Sequence, residues 1–163
     1  MPKRRACACA CDLGDAGARY AECCGRFHAG AEPAEPTSLM RSRYAAFVRG
    51  DLDYLWRTLH PDHEDRARPE GAWRAGLQRS LRAQRFRRLR ILDARDADAS
   101  GAAQVLFHVT MKQGLLGASF AERSLFARDD EGWRYLTGDL VPQRKLPRPL
   151  EALTLERFDG LVG

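Results

Sequence analysis

The chain has 163 residues, 44% apolar and 30% charged, with a formal net charge of +5. That length suits one domain with a small appendage, and it buries a core without help from disulfides. No stretch reaches the roughly 18 apolar residues of a membrane span, and the basic start MPKRRACACA lacks the apolar run of a secretory signal. A cytoplasmic protein with no membrane partner is therefore expected, in a compartment where thiols stay reduced.

All five cysteines lie between Cys7 and Cys24. Adjacent cysteines such as Cys23 and Cys24 bridge each other badly, because a disulfide strains the peptide between them. Four thiolates around one tetrahedral Zn²⁺ make a closed structural site, and a C-x-C pair plus a C-C pair supplies four. The preferred set is Cys9, Cys11, Cys23 and Cys24; a register shifted to Cys7 and Cys9 is chemically equivalent and leaves Cys11 out. His28 is near enough to replace one sulfur, and the other reading packs it beside the knuckle. Four sulfurs leave no open position, so the metal is expected to hold structure and not to perform chemistry.

A Pro/Ala/Glu connector, AGAEPAEPT at 29–37, follows and breaks regular structure. Thr37 or Ser38 is then placed to cap a helix on which Met40, Tyr44, Phe47 and Val48 form an apolar stripe, ended by Gly50. DLDYLWRTLHP predicts a second helix through Leu52, Leu55, Trp56 and Leu59. RPEGAWRAGLQRSLRAQ predicts a third through Trp73, Leu77 and Leu81. Tyr44, Trp56 and Trp73 fall at core spacing on these helices.

The period then changes. FRRLRILDAR reads as a strand, and in AAQVLFHVTMKQG the residues Ala103, Val105, Phe107, Val109 and Met111 alternate strictly. GASFAERSLFARDDEGWRYLTGDL reads as a hairpin turning at DDEG, and the tail is proline-broken before a short helix. Three helices before a meander of about four antiparallel strands make an α+β domain.

The composition is lopsided, with 24 Arg against 3 Lys. The run RSLRAQRFRRLR at 79–90 holds six Arg and no acid. It is either a solvated basic face or an electrostatic footprint for phosphates.

CACDLG…YAECCGRFHAG resembles the SEC-C zinc motif, found at the end of the protein-export ATPase SecA and at the start of the YchJ family. EPTSLMRSRYAAFVRGDLDYLWRTLHP, RLRILDA and ERSLFARDDEGWRYLTGD resemble that family's later segments. The resemblance implies a SEC-C knuckle over residues 1–30 with its zinc ligands on Cys9, Cys11, Cys23 and Cys24. It runs to about residue 140 and implies, over residues 31–163, a cone-shaped nuclear transport factor 2-like domain with a C-terminal tail, in which three helices pack on a curved antiparallel sheet. It also implies protein partners, because in SecA the motif docks a chaperone.

Phe120, Glu122, Ser124 and Phe126 share one face of their strand. A carboxylate and a hydroxyl between aromatics are unusual for a core-facing row, and on a concave sheet they line a pocket. Trp133 and Tyr135 on the next strand, with His108, complete the candidate lining. Glu122 either serves such a pocket or pairs with one of the many arginines, and no catalytic residue is assigned. The leading expectation is a zinc-holding binding or adaptor module. A nucleic-acid-associated protein using the 79–90 run and an enzyme or small-ligand binder using the Glu122 pocket are the alternatives.

Overall fold

A computed structural model of the chain describes residues 7–9 and 18–162. After a 3₁₀ turn at Tyr20–Glu22, the adjacent cysteines open a short helix, α1 (Cys24–His28). Helix α2 (Pro36–Arg49) begins ahead of Thr37 and Ser38, which lie in its first turn. Pro36 takes the first helical position, where a fixed φ and a missing N–H are tolerated, and Glu35 is the N-cap. Gly50 ends α2 at φ 70°, a left-handed conformation that suits glycine. The inner stripe is Met40, Arg43, Tyr44 and Phe47; Val48, which the spacing put on that stripe, is 41% exposed.

Helix α3 (Leu52–Arg57) is only six residues long and is capped by Asp51, whose carboxylate accepts the Tyr54 N–H at 3.0 Å. Leu59 lies beyond its end, bridged to the sheet: Tyr135 N–H donates to Thr58 O, and His60 N–H to Tyr135 O, both at 2.8 Å. Helix α4 (Glu70–Ala83) runs directly into strand β1 (Gln84–Arg95) with no loop between them.

Strands β2 (Ala103–Gln113), β4 (Phe120–Arg128) and β5 (Trp133–Pro142) complete the antiparallel order β1-β2-β4-β5, while the two-residue β3 (Leu116–Gly117) pairs with β2. The DDEG turn is held by Asp129, whose side chain accepts the N–H groups of Glu131 and Gly132. Register shifts at Phe86/Arg88 and Ile91/Asp93 in β1, and at Leu125/Phe126 in β4, mark bulges that bend the strands.

Two apolar clusters cover the two faces of the sheet. Helices α2–α4 enclose the larger, with Leu39, Tyr44, Leu55, Trp73, Val105, Phe107 and Phe126 among its members. On the opposite face the tail folds back, and Leu146, Leu153, Leu155 and Phe158 cover Leu106, Ala121 and Val141. The last two of these tail residues belong to α5 (Leu155–Val162), whose first N–H donates to Asp93 at 2.9 Å. No helix among the described residues is long and apolar enough to cross a membrane.

Candidate functional site

The cysteine head is assembled from two short segments. Cys7 N–H donates to Ala18 O at 2.9 Å, which brings the C-x-C segment alongside the residues that enter α1. The sulfurs of Cys7, Cys9, Cys23 and Cys24 then lie within 4.8 Å of one another, all four buried. The Sγ atoms of Cys9 and Cys23 are 3.4 Å apart, and those of Cys23 and Cys24 are 3.9 Å apart. Four sulfurs each about 2.3 Å from one tetrahedral ion stand about 3.8 Å apart, so the donor set and its spacing fit a metal. The hydrogen bond shared by Cys24 and Cys7 holds the Cys7 thiol below its ordinary range and pushes Cys24 above it.

Of the predicted ligands, Cys9, Cys23 and Cys24 are brought together, joined by Cys7; Cys11 lies outside the described residues. His28 is not among the clustered donors. Its Nδ1 accepts from Tyr20 Oη at 2.6 Å and its Nε2 donates to Ser42 O at 2.8 Å, so both nitrogens are occupied and the ring packs beside the knuckle. Gly25, straight after the paired cysteines, sits under Tyr20: a methyl group there would lie 2.7 Å from Tyr20 O. The glycine of CCG is thus required by a close backbone approach.

The head is clipped to the body. Ala45 of α2 packs among the cysteines, while Phe27 inserts into the larger core. Arg57 donates to Phe27 O at 3.0 Å, and the Arg49 guanidinium stacks over the Tyr20 ring at 3.8 Å. Further along the connector, Glu32 pairs at 2.8 Å with Arg134, which is 1% exposed and also pairs with Asp129 and Glu131.

A second concavity lies between α2 and the sheet. It encloses about 270 Å³ and is walled by Tyr44, Phe47, Phe86, Phe107 and Phe120, with Glu122, Ser124 and Tyr135 on its floor. Ser124 Oγ and Tyr135 Oη each donate to Glu122 Oε1 at 2.8 Å. Opposite Ser124 on β5 stands Gly138, where a methyl group would collide with Glu122 Oε1 and lie 2.6 Å from Tyr135 Oη. Burial raises the Glu122 carboxyl above its ordinary value, against the hydrogen bonds from Tyr135 and Ser124 and the charge of Arg43. Burial, then the charge of Glu122, likewise pushes the Tyr135 hydroxyl up.

Four of the seven predicted lining residues, Phe120, Glu122, Ser124 and Tyr135, meet at this cavity. Phe126 and Trp133 do not; they are buried in the core, with Arg128 over the Trp133 ring. His108 faces the other side of the sheet, where Nε2 meets Gln143 Oε1 at 2.6 Å. Alternation along β2 separates His108 from Phe107, and the cavity takes Phe107. Arg43 was missed by the sequence reading. It is buried, its Nη1 donates to Leu55 O at 3.0 Å and Thr58 Oγ1 at 2.5 Å, and its guanidinium lies 4.8 Å from the Tyr135 ring centre. Its spacing within Met40, Arg43, Tyr44 and Phe47 was the available signal.

The 79–90 arginines do not form one helix face. Arg79 and Arg82 are exposed on α4, while Arg85, Arg87 and Arg88 are exposed on β1. That strand is an edge of the sheet, where charge discourages pairing with other strands.

The family pattern for the YchJ middle domain, an NTF2-like domain, matches residues 35–138. The UPF0225 protein of Streptomyces coelicolor is 43% identical over 128 residues, spanning 75% of this chain and 89% of that protein. The UPF0225 protein of Bordetella bronchiseptica is 35% identical over 143 residues, spanning 86% of this chain and 99% of its own length. Among solved structures, a SEC-C motif containing protein from Rhodopseudomonas palustris matches with a TM-score of 0.61 at 30% identity, covering 78% of this chain and 95% of that one. A SEC-C motif containing protein from Psychrobacter arcticus shares the fold over 96% of both chains, with a TM-score of 0.64 at 20% identity. The mixed helix-and-sheet domain behind a four-cysteine head is therefore that of the YchJ family, to which this chain belongs.

Proposed function

We propose that the chain is a binding module whose head, residues 1–30, is locked by a structural Zn²⁺ and serves protein partners from the side of the cone, residues 31–163. The observation that carries this reading is the gathering of four buried sulfurs within 4.8 Å at spacings suited to one tetrahedral ion. Cys7, Cys9, Cys23 and Cys24 would hold it, the register that leaves Cys11 out. The ion would supply cross-linking of two segments that bury little apolar surface of their own, as in other small metal-held folds. A closed sulfur shell offers no position for substrate, so the role follows as structural.

Metal analysis of protein purified without chelator tests the reading. One zinc per chain is expected, and it should vanish in the Cys23→Ser/Cys24→Ser double variant. Cys7→Ser should lose metal and Cys11→Ser should keep it. A metal-free preparation would sink the proposal, and loss of metal in Cys11→Ser with retention in Cys7→Ser would move the register to Cys9 and Cys11.

A further inference from the structure

The cavity between α2 and the sheet has a defined polarity that a zinc-held docking head does not use. Its walls are aromatic and apolar, and its polar groups converge on one spot, the arrangement by which small-molecule sites fix orientation. Donors and acceptors there are not balanced. The hydroxyls of Ser124 and Tyr135 are both spent on Glu122 Oε1, and Arg43 directs Nη1 away to Leu55 O and Thr58 Oγ1. Glu122 Oε2 accepts no hydrogen bond among the described residues, so an acceptor is left to offer. Gly138 keeps the space against Oε1 clear, since any larger residue would displace the carboxylate.

Charge and size narrow the occupant. Arg43, stacked on the same Tyr135 ring, brings one positive charge to the same enclosure as the carboxylate, so an added full charge of either sign would be uncompensated among the apolar walls. A volume of about 270 Å³ lies just below the common range of drug-sized sites. We propose that this cavity binds a neutral, flat, largely apolar molecule of one or two fused rings, which donates a single N–H or O–H to Glu122 Oε2.

Indole and benzofuran test the proposal, because they share size and shape and differ in an N–H donor against a ring oxygen. Titrated into the full-length protein by calorimetry, indole should bind saturably and at least tenfold more tightly than benzofuran. In Glu122→Gln, which replaces one acceptor oxygen by an amide donor, that preference should fall below twofold. Val109→Phe, which grows into the cavity and leaves Glu122 untouched, should abolish binding of both probes while the protein stays folded. Absence of saturable indole binding, or indole and benzofuran binding alike to the wild type, overturns the proposal. Survival of indole binding in Val109→Phe overturns it as well, by placing the ligand elsewhere. Should Glu122→Gln fail to fold, the wild-type ratio and the Val109→Phe result decide alone.

Discussion

The head and the cone hold their shapes by different physics. The cone has a core of its own on each face of a five-stranded sheet, and its elements are apolar on the side they bury. The head buries four sulfurs, Ala45 and parts of Ala18 and Tyr20, too little apolar surface to order a chain by itself. It keeps its form through sulfur, a short backbone contact and clips to α2. With the proposed metal bound, cross-linking would stand in for a core where a segment is too short to build one.

The Cys23→Ser/Cys24→Ser variant should separate the two regions most sharply. Structural zinc contributes on the order of 10–16 kcal/mol of binding free energy in small metal-held folds, so the head should lose its order altogether. Hydrogen exchange is expected to lose protection through Tyr20–Glu22 and keep it in β2 and β4, with a cooperative melt retained. A single transition in which sheet and head vanish together would show that the cone depends on the metal.

Phe27 tests where the boundary lies. By sequence it belongs to the cysteine head, only three residues after Cys24; by packing it belongs to the cone, in the larger core. Phe27→Ala should cost the cone about 3–5 kcal/mol and lower its Tm by roughly 10 °C, while metal content stays at the wild-type level. An unchanged cone Tm would return Phe27 to the head.

Much of this division was legible in the chain. Confining five cysteines to eighteen residues pointed to the head, and the change from helical to alternating period pointed to helices followed by a sheet. The alternation in β4 put Phe120, Glu122 and Ser124 on one face, and that face lines the cavity. What was not legible depends on contacts distant in sequence. Nothing between Ala83 and Gln84 signals the change from α4 to β1, because neither glycine nor proline stands there. Bulges in β1 shift Phe86 and Leu89 onto the same core despite their odd spacing. The tail's second cluster needs the back of the sheet as its partner, and no local pattern supplies that partner. Arg43 was missed because its contact with Tyr135 comes from the other half of the chain.

A smaller effect is expected where the connector is strapped to the sheet, just past the head. Arg134 is buried, but the carboxylates it gathers, Glu32, Asp129 and Glu131, keep 38%, 20% and 73% of their side-chain exposure. Removing the cation leaves those acids partly hydrated, not stranded, so Arg134→Met should cost about 1–3 kcal/mol, the scale of charge-assisted hydrogen bonds. Urea melts check the size. If zinc affinity falls with cone stability in this variant, the strap couples the two regions.

The mildest test uses pH and bears on the cone alone. His63 is 9% exposed, packs against the Tyr135 ring at 5.3 Å, and accepts the Asp65 N–H at Nδ1, which requires the neutral imidazole. Burial lowers its pKa below the ordinary 6.5, outweighing the attraction of Asp65 and Glu64, while Arg43 and Arg66 oppose protonation as well. The unfolded chain therefore takes up a proton near pH 6.5 that the folded chain refuses, and stability falls as pH drops through 6.5 toward the folded pKa. The slope from this one group is at most about 1.4 kcal/mol per pH unit. His63→Asn keeps an acceptor at the start of the 3₁₀ turn Glu64–Ala67 and removes the titration, so subtracting its pH–stability curve from the wild type isolates the effect of this one group. A difference that stays flat between pH 7 and pH 5 would mean the folded cone accommodates the imidazolium, and that the floor of the cavity behind Tyr135 is wetter than its packing requires.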